Sequence, residues 1–243
     1  MNLTEQKREE PRKSGVNEMR GRIAEILGAD RWVSGSFPAV APESVDEFSH
    51  LLAGYVGPLM IVGSGSSFKK DFSPGPGTLI LLTSKLLSDY VLFHDDQVLV
   101  LNSGWSVVEV KERLAHENLY VKALDLFTSG TVGGRLALYG SRPDATGSPG
   151  WLHSLLGLEV VLPSGEVISM GGRCIKDVAG YDIKHLFTGS GGGCGVIVKA
   201  AFRCHPLAER PEIQQEFSLH PIVSTNSEWR KLFDPTLRLR PGV

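Results

Sequence analysis

The chain has 243 residues, 25 Lys and Arg against 27 Asp and Glu, and a formal net charge of −2. That length is enough for one large domain or two small ones with a substantial core, and the near-neutral balance gives no reason to expect a nucleic-acid surface. No apolar run approaches the ~20 residues that a bilayer span needs. The opening MNLTEQKREEPRKSG lacks the apolar stretch of a secretory signal, so the cytoplasm is the expected compartment. Cys174, Cys194 and Cys204 form no CxxC pair and are expected to be reduced and structural. Three cysteines cannot hold an ordinary four-cysteine iron–sulfur cluster. The histidines show no HExxH spacing, and no metal site is expected.

Residues 1–14 read as disordered or loosely attached, and helical spacing then runs over 17–27 through Met19, Ile23, Ile26 and Leu27. A second helix is predicted to start at Pro42, with acidic residues at its positive end and Val45, Phe48, Leu51 and Leu52 as its buried stripe. Leu59-Met60-Ile61-Val62 is a short apolar strand, followed at once by Gly63-Ser64-Gly65-Ser66-Ser67-Phe68. Such a loop can turn successive N–H groups and hydroxyls towards an anion. It is no Walker A loop, because no Gly-Lys-Ser/Thr closes it, and Phe68 spoils a dinucleotide fingerprint. A plain turn is an equally good reading of this loop by itself.

Residues 79–83 and 98–102 read as strands, and 106–114 as a helix with Val107, Val110 and Leu114 inward. A second glycine cluster, Thr128-Ser129-Gly130-Thr131-Val132-Gly133-Gly134, precedes a small apolar segment over 136–139. Residues 140–150 form a polar loop, 155–162 a strand, and Pro163-Ser164-Gly165-Glu166 a hairpin turn into Val167-Ile168. In the third cluster a short helix is predicted over 182–187, with Ile183, Leu186 and Phe187 on one side. Gly189-Ser190-Gly191-Gly192-Gly193 breaks it, and 196–202 follows as a buried, β-branched strand. Glycine at this density suggests positive φ or close backbone approach to a ligand, with a flexible surface loop as the alternative. Early alternation of strands and helices followed by a hairpin-rich part argues for an α+β fold with two small lobes.

Three blocks thus occur in fixed order: IVGSGSSF, SGTVGGRLA and VAGYDIKHLFTGSGGGCGVI, with the hairpin LLGLEVVLPSGEVI between the second and third. Together they resemble the FAD-binding domain of the vanillyl-alcohol oxidase and p-cresol methylhydroxylase superfamily. The third block looks most like the small flavin subunit of bacterial glycolate oxidase, or glycolate dehydrogenase. The resemblance covers residues 37–206 and implies an N-terminal extension over 1–36, an FAD-binding domain over 37–206 and a tail over 207–243. It implies a two-lobed α+β domain without the substrate cap that usually follows, since the tail is too short for one.

The resemblance also implies site residues. Val62, Gly63, Ser64, Gly65 and Ser66 match the loop that holds the FAD pyrophosphate. Ser129, Thr131, Val132, Gly133 and Gly134 match backbone that passes the cofactor, with Gly140 beyond them. Gly195, Val196 and Ile197 match a strand whose main chain contacts the flavin nucleotide. Lys176, Tyr181 and Asp182 match the family's Lys-Asn-Val-Ala-Gly-Tyr-Asp pattern, either beneath the loop as structural contacts or at the flavin itself. The chain departs from the family at Gly193-Cys194, where Thr-Leu is frequent, and at Val198, where threonine is common.

A complete 2-hydroxy-acid oxidase needs groups to hold a carboxylate and a base to take a proton. No arginine–histidine constellation for this stands out, and His153 and His185 are candidates by residue type alone. The expectation is therefore an FAD-binding subunit, with noncovalent FAD, of a multi-subunit 2-hydroxy-acid dehydrogenase of the glycolate or lactate type. Its partners would be a larger FAD-containing dehydrogenase subunit and an iron–sulfur subunit, with any membrane association made through them. The alternatives are a non-redox structural subunit with the same fold and a self-sufficient small flavin dehydrogenase.

Overall fold

The computed structural model describes residues 3–67, 72–139, 154–172, 183–211 and 227–241. Helix α1 (Leu3–Leu27) starts well before the predicted residue 17. The Glu, Gln, Lys and Arg of its first turns are good helix formers, so the helix extends without an apolar stripe there. Near its end Ile23 is buried, with Met19, Ile26 and Leu27 beside it. Strands β1 (Trp32–Val33) and β2 (Ala39–Val40) form an antiparallel pair. Helix α2 (Val45–Gly54) starts later than Pro42. The Ser44 hydroxyl accepts from the Glu47 N–H at 3.2 Å, and this cap fixes the first turn. Phe48, Leu51 and Leu52 are fully buried, as the stripe predicted.

Strands β3 (Leu59–Val62) and β4 (Leu79–Leu82) pair in parallel, Leu59 opposite Leu79 and Val62 opposite Leu82. Then come β5 (Tyr90–Phe93) and β6 (Val98–Asn102), an antiparallel pair. Helix α3 (Val107–His116) buries Val107, Val110 and Leu114. The short β7 (Leu119–Tyr120) and α4 (Lys122–Asp125) lead to α5 (Val132–Leu138). Strands β8 (Leu155–Val161) and β9 (Val167–Gly171) form the expected hairpin. Helix α6 (Lys184–Phe187) is shorter than predicted; Phe187 is buried but Ile183 is 41% exposed rather than inward. Strand β10 (Val196–Arg203) pairs with both β6 and β8, and β11 (His205–Pro206) with β7.

Residues 227–241 pack back onto both parts of the chain before them. Helix α7 (Ser227–Phe233) sets Phe233 against Phe187, ring centroids 5.1 Å apart. Strand β12 (Leu239–Arg240) then joins the edge of β3 in parallel. The Arg238 guanidinium holds it there by donating to the carbonyls of Leu52, Tyr55 and Pro163.

Two five-stranded sheets result among the described residues, ordered β1-β2-β4-β3-β12 and β5-β6-β10-β8-β9. Each has its own core. Phe48, Leu51, Leu52, Leu59, Leu79 and Leu81 centre the first, and Leu99, Leu101, Val110, Leu136, Phe187 and Phe202 belong to the second. Strand β10 ties them together, because Val196 and Val198 belong to the first core and Ile197 to the second. This is the two-lobed α+β arrangement expected from the sequence. No helix among the described residues is long and apolar enough to cross a membrane, and none of them forms a cluster of three or more His, Cys, Asp or Glu that could hold a metal.

Candidate functional site

All three glycine blocks meet at one cleft. The first loop leaves the end of β3, where Gly65 has φ +78°, a left-handed conformation that side chains rarely adopt. Gly63 packs against the second block so closely that a methyl group on it would overlap the Thr131 hydroxyl and reach 3.5 Å from Gly134 Cα. Thr131 is held in place as the cap of α5, its Oγ1 accepting from the Gly134 N–H at 3.2 Å. Gly133 packs on Ser103, donating its N–H to the Ser103 carbonyl at 2.9 Å. The glycines of the first two blocks thus meet one another and the strands beneath them.

Residues 187–198, which include the glycine run of the third block, are buried rather than a flexible surface loop. Gly189 and Gly191 donate to the carbonyls of Leu136 and Ala137 at 2.9 and 2.8 Å, which fastens the block to α5. Gly192 abuts Ile61 of β3, and Gly195 abuts Val160 of β8.

The cleft is narrow, with about 60 Å³ of space between its walls. Of the expected residues, Val62, Gly63, Ser64, Gly65, Ser66, Thr131, Gly133, Gly134, Gly195 and Ile197 line it. Val132 and Val196 are instead fully buried in the two cores, one in each. Ser129 reaches the site through Arg135, described below. Gly140, Lys176, Tyr181, Asp182 and His153 lie outside the described residues, as does the side chain of His185. Gly193, Cys194 and Val198, where the family pattern is broken, do not line the cleft. Gly193 lies against Arg230, while Cys194 and Val198 sit in the cores. Burial pushes the Cys194 thiol up from its ordinary value, and that of Cys204 to about 12. Neither is therefore a ready nucleophile.

The sequence reading missed Thr83, Ala137, Leu138 and Arg135 of the cleft wall. Arg135 is the most consequential. It is 8% exposed and stands one turn into α5, between the rings of Phe127 and Tyr139 at 5.8 and 5.6 Å. Its guanidinium donates to the Ser129 carbonyl at 2.6 Å and the Ser129 hydroxyl at 2.9 Å. It also reaches the hydroxyls of Ser66, Ser67 and Tyr139 at 3.3, 3.4 and 3.3 Å. The signal that could have revealed it is a lone charge in an otherwise small and apolar turn, VGGRLAL.

The donor set suits a nucleotide diphosphate. It consists of N–H groups and hydroxyls, with glycine where bulk would block approach, and no carboxylate among the described residues lines the wall. Comparison with known proteins agrees. Residues 38–171 match the family of FAD binding domains, and the chain belongs to that family. The chain is 27% identical over 179 residues to the glycolate oxidase subunit GlcD of Bacillus subtilis, covering 70% of this chain and 37% of that protein. It is 28% identical over 174 residues to the D-lactate dehydrogenase of Archaeoglobus fulgidus (70% and 39%). It is 35% identical over 130 residues to the mitochondrial D-2-hydroxyglutarate dehydrogenase of Bos taurus (52% and 24%). The chain thus spans less than half the length of these relatives. A solved alkyldihydroxyacetonephosphate synthase has the same fold over 69% of this chain and 31% of its own, with a TM-score of 0.56 at 20% identity. The resemblance to the p-cresol methylhydroxylase type of FAD domain and to glycolate oxidase holds, and FAD is the cofactor this domain type binds.

Proposed function

We propose that this chain is the FAD-holding part of a 2-hydroxy-acid dehydrogenase. The observation that carries the reading is the convergence of residues 63–67, of Gly130, Thr131, Gly133 and Gly134, and of Gly191, Gly192 and Gly195 on one cleft, where glycine backbone and serine and threonine hydroxyls line the wall. The substrate class rests on the relatives, whose names specify glycolate, D-lactate and D-2-hydroxyglutarate. When bound, FAD supplies the redox chemistry by accepting and passing on electrons. The chain's own residues hold it. Gly63 and Gly65 let backbone approach the diphosphate, and the serine hydroxyls donate to it. Ile61, Ala137, Leu138 and Ile197 give the cleft an apolar wall that excludes water.

The chain is proposed to work with a larger FAD-containing dehydrogenase subunit and an iron–sulfur subunit, at the membrane only through them. The tail offers contact surface: Leu232 on α7 is 72% exposed. A non-redox structural subunit is the second reading, motivated by the departures at Gly193-Cys194 and Val198. Their position outside the cleft supports the FAD-holding reading over it. The test is to purify the chain with and without co-expressed partners, record its visible spectrum, and assay glycolate and D-lactate with a dye acceptor. Flavin carried by the chain, with turnover in the complex, is expected. A colourless chain that nevertheless restores turnover to its partner would favour the structural reading. Substantial turnover by the pure chain alone would overturn the subunit assignment.

A further inference from the structure

Arg135 carries its charge into the cleft wall, where no carboxylate among the described residues meets it. Among the described residues its five N–H donors go to one carbonyl and four hydroxyls, all neutral. A guanidinium has only five such donors, so the fork is saturated. Burying a cation with no opposite charge beside it costs stability, and an acidic partner would have been a cheaper structural solution. The position of the fork explains the choice. It bridges two loops, binding Ser66 and Ser67 of the first block and Ser129 of the second.

The direction of these bonds matters more than their number. A serine hydroxyl has one proton to give and two lone pairs to accept with. Arg135 occupies a lone pair on each of the three serines. Each proton is left to be donated elsewhere, and none of the three hydroxyls donates to another described residue. All three serines are exposed. Gly130 keeps the fork in place, because with φ +87° a side chain there would be strained and would press on the guanidinium.

We infer that Arg135 is a positioning residue for the diphosphate of FAD. It fixes Ser66, Ser67 and Ser129 as outward-pointing donors and offsets the diphosphate's charge through them. This rests on the reading that the cleft holds FAD. The ligand chemistry is a nucleoside diphosphate ester, and the cation adds what the neutral backbone donors of the loop cannot supply.

The experiment is titration of FAD into the full chain stripped of flavin, followed by flavin fluorescence at several salt concentrations. Wild type is expected to bind FAD with an affinity that falls as salt rises. In Ser66→Ala/Ser129→Ala, which removes two exposed hydroxyls, the Kd should rise by on the order of tenfold per hydroxyl, with the salt dependence kept. In Arg135→Met the Kd should rise by on the order of a hundredfold and the salt dependence should flatten. Arg135→Lys should restore the salt dependence but not the full affinity, because a point charge cannot bridge three serines. A wild-type Kd in the serine pair would overturn the inference, and that pair decides the matter should Arg135→Met fail to fold. Weakened binding in Arg135→Met with an unchanged salt slope would overturn it as well. No FAD binding by wild type would overturn both this inference and the functional reading beneath it.

Discussion

Gly63 and Thr131 touch across the two glycine blocks, with no room for a methyl group between Gly63 Cα and the Thr131 hydroxyl. The contact makes two loops, 68 residues apart in sequence, one wall of the cleft. Gly63→Ala should therefore displace Thr131, uncap α5 and open the cleft. A cost of about 1–3 kcal/mol is expected from overpacking, with a large loss of FAD affinity. Thr131→Ala alone should cost about 1 kcal/mol through the lost cap. Because Thr131→Ala removes the clashing oxygen, the double variant should be more stable than the sum of the two changes implies. Denaturant melts of the four proteins check this, and strict additivity would mean the contact is absent.

Gly65→Asp should leave the chain folded but unable to keep FAD. Aspartate tolerates the left-handed backbone better than most residues, so the fold survives. Its carboxylate would face the diphosphate at short range, a repulsion worth on the order of several kcal/mol in partly dry surroundings. Circular dichroism should be unchanged while flavin content collapses. Full occupancy in this variant would move the diphosphate away from the first loop.

FAD should be held without a covalent bond. Residues 62–67 contain no histidine or cysteine, and Cys194 is a buried, protonated thiol that does not line the cleft. Acid precipitation of the flavin-loaded chain should leave free yellow cofactor in solution. Colour retained by the pellet would show attachment.

Much of this site was legible because glycine marks backbone geometry directly. The first and third blocks could be read as close-approach segments from Gly63, Gly65 and Gly191-Gly192 alone, and the structure puts them on the cleft. The stripes of α2 and α3 were equally plain, since Phe48, Leu51 and Leu52 or Val107, Val110 and Leu114 repeat at helical spacing. Other features carried no such mark. Strand β5, an apolar Tyr90-Val91-Leu92-Phe93 run, was missed; it lies at the edge of its sheet, with none of its residues fully buried. Helix α5 was read as a glycine cluster plus an apolar segment, because Gly133 and Gly134 lower helix propensity inside its first turn. That misreading hid Arg135, whose role depends on contacts with Ser66 and Ser67 from a distant loop. The packing of β12 onto the first lobe depends on Arg238 and three carbonyls far away in sequence, a pairing no local pattern encodes.

Stability should depend on pH through Glu47. Burial pulls its carboxyl upward, but hydrogen bonds from Arg31 and from the Glu43 and Ser44 region outweigh this and leave it below its ordinary 4.5. A depressed folded value means the carboxylate stabilises the fold above pH 4.5, and the contribution is lost as pH falls through the lower folded value. Glu47→Gln should melt earlier than wild type at neutral pH, and the gap should close in acid below that range. A gap that is the same at both pH values would rule out the Arg31–Glu47 pair as its source.

The most direct measurement is equilibrium titration of FAD into the purified, flavin-free chain, followed by its visible spectrum. Saturation at one FAD per chain, abolished in Gly65→Asp while circular dichroism is kept, is the expected result. A wild-type chain that folds, yet takes up no flavin either alone or with the proposed partners, would contradict the assignment of the cleft to FAD.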